Sequence, residues 1–117
     1  MLLAANVLAG ILAVIYLAVG VPKVAGSAAL AGEFVRFGYP RPLLTLTGAA
    51  EVAGAGLLVA GIVSVHAAAV VGSALLIAVM AGAVATHVRV SDPATKIAPP
   101  ALLLLLLVAE LALRAAS

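Results

Sequence analysis

Cysteine and tryptophan are absent from this 117-residue chain, and the aromatic residues are only two phenylalanines and two tyrosines. Without cysteine there is no disulfide staple, no thiolate metal site and no thiol redox chemistry. Charge is scarce as well: 9% of residues are Asp, Glu, Lys or Arg, against 67% hydrophobic. A soluble domain of this size exposes more surface than so few polar side chains can cover, so composition points to a membrane protein. Six basic residues in such a chain first report orientation, and no nucleic-acid-binding pattern accompanies them. Neither histidine has a second His or Cys at ligand spacing, and no phosphate loop or nucleophile motif occurs. No metal, no evident cofactor and no independent catalytic activity are therefore expected.

Long apolar runs are what the chain does have. A membrane-spanning helix needs about 20 predominantly apolar residues. Four segments meet this, over about residues 2–22, 43–62, 67–86 and 100–115, the last starting behind Pro99-Pro100. The first has its positive charge after the apolar stretch and no basic residues before it, so it reads as a retained helix and not a cleaved signal peptide. No Asp, Glu, Lys or Arg occurs between Val52 and Val88, a run too long for one span. The chain must turn within it, at "VSVHA" (63–67), which makes the second and third spans a hairpin. The expected fold is an all-α integral membrane four-helix bundle, one transmembrane domain over residues 1–117. Lys23, Arg36, Arg41, Arg89 and Lys96 then share the side of the two longer loops, leaving Arg114 alone with the termini. The positive-inside rule puts those loops in the cytoplasm and both termini outside the cell membrane.

In "GSAALAGEFVRFGYP" (26–40), Leu30, Phe34 and Phe37 fall at i, i+4 and i+7, with Glu33 and Arg36 turned away. Gly38 stands where a helix C-terminus takes positive φ, and Pro40 prevents continuation. This predicts a short amphipathic interfacial helix over about 27–37.

Helices in lipid associate through close backbone approach at small residues. Gly48, Ala50 and Gly54 on the second span, and Ala68 and Gly72 on the third, form such surfaces. Packing within the bundle and self-association as a homo-oligomer both remain open from this pattern.

The one acid inside the second span is Glu51, in "GAAEVAGAG" (48–56). An ionised carboxylate in the bilayer costs a few kcal/mol, so such a residue faces the bundle interior, protonated or paired. Lys23 ends the first span, and Tyr16, seven residues earlier on the same face, reaches about the depth of Glu51. His87 ends the third span. These four are the candidate polar or ligand-binding site, with Lys23 reaching inward and Tyr16 donating to the carboxylate. Glu110 lies one turn before Arg114 and reads as an interfacial i,i+4 pair.

"GVPKVAG" closing the first span, "GAAEVAGAGLLVAG" in the second and "AVATHV" ending the third resemble the DoxX/DoxX-like family of small four-helix membrane proteins. The resemblance implies that Lys23, Glu51 and His87 stand at the family's polar positions. It also implies an accessory membrane subunit or scaffold, in the bacterial inner membrane, of a quinone-linked redox system. Two other readings come from the residues: a binder of a small lipophilic molecule such as a quinone or lipid, and a proton-coupled small exporter. Exporters of about four helices carry their essential carboxylate in the first helix with tryptophan nearby, and here that helix has no acid. The expected partners are membrane lipid and a protein subunit or a second copy.

Overall fold

The computed structural model describes all 117 residues as five helices and no strands: α1 (Leu2–Val24), α2 (Ala28–Phe37), α3 (Arg41–Val63), α4 (His66–Arg89) and α5 (Ala94–Ala115). Helices are the natural outcome for these segments, because a backbone in hydrocarbon must satisfy its own polar groups. The four long ones are apolar enough to cross a membrane. At 1.5 Å per residue they run about 33–36 Å, slightly more than the hydrocarbon thickness of about 30 Å. The chain is a multi-pass membrane protein. Around the bundle α1 lies between α3 and α5, and α4 lies opposite, also between α3 and α5. The termini and the α3–α4 turn share one end, while α2 and the α4–α5 connection share the other.

Local chemistry sets the boundaries. Gly26 ends the first long helix at φ 74°. Gly38 ends α2 at φ 82°, with the N–H of Gly38 bonded to Val35 O and that of Tyr39 to Phe34 O. Only glycine enters that conformation without a steric penalty. Pro40 and Pro42 then open α3, where missing N–H groups cost nothing. The α3–α4 turn falls at Ser64 and Val65, whose N–H groups both bond Ala60 O.

One boundary differs from the expectation. The last span begins at Ala94, after Pro93, and runs through Pro99 and Pro100 instead of starting behind them. Those prolines remove bonds to the carbonyls of Thr95 and Lys96, which lie in the exposed first turn. Loss of partners there is tolerated, since the interface can solvate them.

Hydropathy does not separate inside from outside in α1, whose inner face mixes small residues with Leu12 and Tyr16. The buried stripe of α1 includes Ala5, Ala9, Leu12, Ala13, Tyr16 and Gly20, while Leu3, Val7, Ile11 and Val14 are exposed towards lipid. Glycines let neighbouring helices approach closely. A Cβ on Gly48 would lie 2.6 Å from Lys23 Cβ and 2.8 Å from Gly20 O. One on Gly72 would lie 2.8 Å from Leu57 Cβ, and one on Gly54 would meet the Leu76 side chain at 2.6 Å. At the hairpin it is Ala69 that packs onto Gly61, whereas Ala50 and Ala68 are half-buried.

Gly48→Ala should therefore push α1 from α3 and cost about 1–3 kcal/mol, as overpacking does. Gly56 has open space around it, so Gly56→Ala is the control. Thermal unfolding in detergent reads the difference: a lower Tm for Gly48→Ala, and an unchanged or slightly higher Tm for Gly56→Ala.

Candidate functional site

Glu51 is fully buried, ten residues into α3 and so about 15 Å from that helix's start. Lys23 is the penultimate residue of α1. Because Gly48 has no side chain, the lysine stem lies directly across it and turns down towards the acid. Lys23 Nζ donates to Glu51 Oε1 at 2.6 Å, with the two side chains 17% and 1% exposed. A buried ion pair offsets its desolvation only when the remaining polar atoms are also bonded. Here Glu51 Oε2 is not: it is buried and has no hydrogen-bond partner. Tyr16 OH is likewise buried and unpartnered, so the expected bond from Tyr16 to the carboxylate is not made. Its ring belongs instead to the apolar core with Leu12, Met80 and Leu107.

Beside the pair lies a cavity of about 440 Å³ between α2, α3 and α4. Leu30, Phe34 and Phe37 of α2 and Val79, Met80 and Ala83 of α4 give it apolar walls. Lys23 and Glu51 close its deep end, and Tyr39, Thr86 and His87 stand nearer the loops. The structure thus joins Lys23 and Glu51 directly and adds His87 on the same cavity. Tyr16 is not among the lining residues.

His87 is held by a carboxylate from the turn that follows its own helix. Its Nδ1 lies 2.6 Å from Asp92 Oδ2, five residues on, across a turn closed by the bond from Asp92 N to His87 O. Arg36 of α2 grips the same carboxylate with two bonds, 2.7 and 2.9 Å long, and also bonds Glu33 at 2.6 Å. Arg36 first, and then His87, holds the Asp92 carboxyl well below the usual carboxylate range. Arg36 lowers Glu33 too. Arg89 donates to Phe37 O at 2.6 Å and covers the Tyr39 ring. These contacts tie α2 down as the cover of the cavity.

At the opposite end Glu110 and Arg114 are completely buried, which corrects their reading as an interfacial pair. Their i,i+4 bond exists, at 2.7 Å, but it sits inside a cluster. Arg114 also donates to Asn6 Oδ1 at 3.0 Å and to His66 Nδ1 at 3.4 Å, and Ser73 donates to Glu110 Oε2. Both oxygens of Glu110 are thereby bonded, unlike those of Glu51. The available signal was four polar residues, Asn6, Ser73, Glu110 and Arg114, in otherwise apolar spans near one end of the bundle. Neither cluster gathers three His, Asp or Glu side chains as metal ligands would.

The sequence profile of the DoxX-like family matches residues 7–110. The chain belongs to the DoxX-like family. No curated protein and no solved structure matches it. The matched span of this DoxX-like protein includes Lys23, Glu51, Asp92 and His87 and ends at Glu110, before Arg114.

Two outcomes follow from the charge pairs. A depressed carboxyl stabilises the folded state above its unfolded pKa of about 4, and the contribution is lost as pH falls through the folded value. Protection of α2 from amide exchange, corrected for intrinsic rate, should hold from neutral pH to about pH 5 and decline below about pH 4. Asp92→Asn should expose α2 at neutral pH; unchanged protection in that variant would mean the pair does not hold α2. At the other end, Arg114→Met should cost about 3–5 kcal/mol by leaving Glu110 buried without its cation. Glu110→Leu combined with Arg114→Met should recover most of this in detergent unfolding; equal losses would assign the effect to packing.

Proposed function

We propose that this DoxX-like protein binds a small lipophilic molecule, held in the cavity under α2 with its polar head at Lys23 and Glu51. One observation carries this reading: a largely apolar cavity of about 440 Å³ lined at one end by the Lys23–Glu51 pair. Pockets for small molecules have this build, apolar walls with a few placed polar groups. A quinone-type or lipid head belongs to the class that fits. The exporter reading needs a carboxylate that exchanges protons freely, and a lysine at 2.6 Å works against that. An accessory role in a redox complex draws its support from family membership, and a bound lipophilic molecule is what such a subunit would present to its partner. Lys23, Arg36, Arg41, Arg89 and Lys96 gather at the α2 end, and this supports a cytoplasmic orientation for that end.

The test is native mass spectrometry of the protein released from mild detergent. The wild type should carry, or take up, one small lipophilic molecule. Ala83→Phe, which fills the cavity from α4, should lose it while the protein remains folded. A wild type that takes up nothing, or an Ala83→Phe variant that loads equally well, rules the reading out.

A further inference from the structure

We infer that the cavity opens sideways into the bilayer between α3 and α4, and that it takes up a flexible hydrocarbon chain from the membrane past Ala78 and Gly82. The inference rests on the binding role proposed above and names the source and class of the ligand.

The seam between the two helices locates the opening. Towards the hairpin it is closed by glycine contacts, Gly61 against Ala69, Gly72 against Leu57 and Gly54 against Leu76. Continued towards α2, the same antiparallel register sets Glu51, Thr47 and Leu43 opposite Val79, Ala83 and His87. All six line the cavity, so beyond Leu76 the helices face each other across a space. Ala78 and Gly82 line it too, and both are exposed. Around the axis of α4 they lie with the exposed Val71 and Ala85, away from the buried Ser73, Leu76 and Met80. A Cβ on Gly82 would meet nothing within 4 Å. The rim of the cavity therefore reaches the outer face of the bundle.

Depth decides which phase that rim meets. Gly82 and Ala78 stand about 10 and 16 Å from the Arg89 end of α4, inside the hydrocarbon layer. The side towards water is covered instead. Arg36 binds Asp92, Arg89 donates to Phe37 O and Tyr39 bonds Thr86, which holds α2 and the segment after it against α4. A chain lying along α4 can slip into the cavity without displacing α2. It also never leaves hydrocarbon, which spares each CH₂ the cost of contact with water.

The chain has no tryptophan, so Phe34→Trp on the α2 wall puts a single fluorophore at the cavity. The variant is reconstituted in vesicles of phosphatidylcholine brominated midway along one acyl chain, and in vesicles of the unbrominated lipid. Bromine should quench most of the tryptophan emission, while iodide added to the water should quench little. Adding Gly82→Phe, which narrows the rim from a position with open space around it, should restore most of the emission in brominated lipid. Quenching by bromine that survives both Gly82→Phe and Ala78→Phe overturns the inference, since the chain then arrives by another path. Quenching by iodide and not by bromine overturns it as well, and leaves a cavity that binds molecules from the water side. Emission untouched by either quencher also overturns it, and the binding role then stands or falls by mass spectrometry alone. Leu30→Trp, on the same wall, is the reporter if Phe34→Trp does not fold.

Discussion

Helices surrounded by lipid gain nothing by hiding apolar surface from one another, so their spacing depends on how closely two backbones can approach. In this DoxX-like protein the approach with the widest consequences is that of α1 to α3 at Gly20 and Gly48. There the missing side chain leaves room for the stem of Lys23. That stem carries a cation into the bundle far enough to meet Glu51, and without it the carboxylate would be a bare charge near the middle of the membrane. The pair in turn closes the end of the cavity. Gly48, Lys23 and Glu51 act as one unit, in which the glycine contributes by occupying no space.

The two buried carboxylates show what distinguishes a structural acid from a candidate binding one. Glu110 has both oxygens bonded, one by Arg114 and one by Ser73, and does not line the cavity under α2. Glu51, which lines the cavity under α2, has one oxygen bonded and the other buried without a partner. Burial is the same for the two; the state of their lone pairs differs.

That difference explains what sequence could and could not reveal. Run length and the absence of charge marked the four spans, because hydrocarbon imposes a minimum length on any helix that crosses it. Gly38 and Pro40 marked the end of α2 through backbone sterics, which act locally. The pairing of Lys23 with Glu51 was accessible from depth alone, each residue being counted from the end of its own span. Rotation about the helix axis was not: Tyr16 has the right depth but turns into the core with Leu12 and Met80. The burial of Glu110 was hidden because its spacing to Arg114 already offered a sufficient local account, while Asn6 and Ser73 converge only in three dimensions. The start of α5 was misread because Pro99 and Pro100 resemble a helix opening; their lost bonds fall in an exposed first turn and so do little harm. Asp92 gives no sign in the sequence of its bonds to Arg36 and His87, because Arg36 lies 56 residues away and meets it only when α2 folds back.

Helix α1 takes part in both polar clusters, through Asn6 near one end and Lys23 near the other. The two positions are about 26 Å apart along the axis, most of the thickness of the hydrocarbon layer. A helix pinned at both ends cannot slide by a turn against its neighbours without stripping partners from a buried charge at each end. The vertical register of the bundle is thus set by polar contacts and not by the bilayer. In a membrane thinner or thicker than its hydrophobic span, the protein must tilt as one body, or let the lipid deform around it, because its helices are not free to adjust one by one.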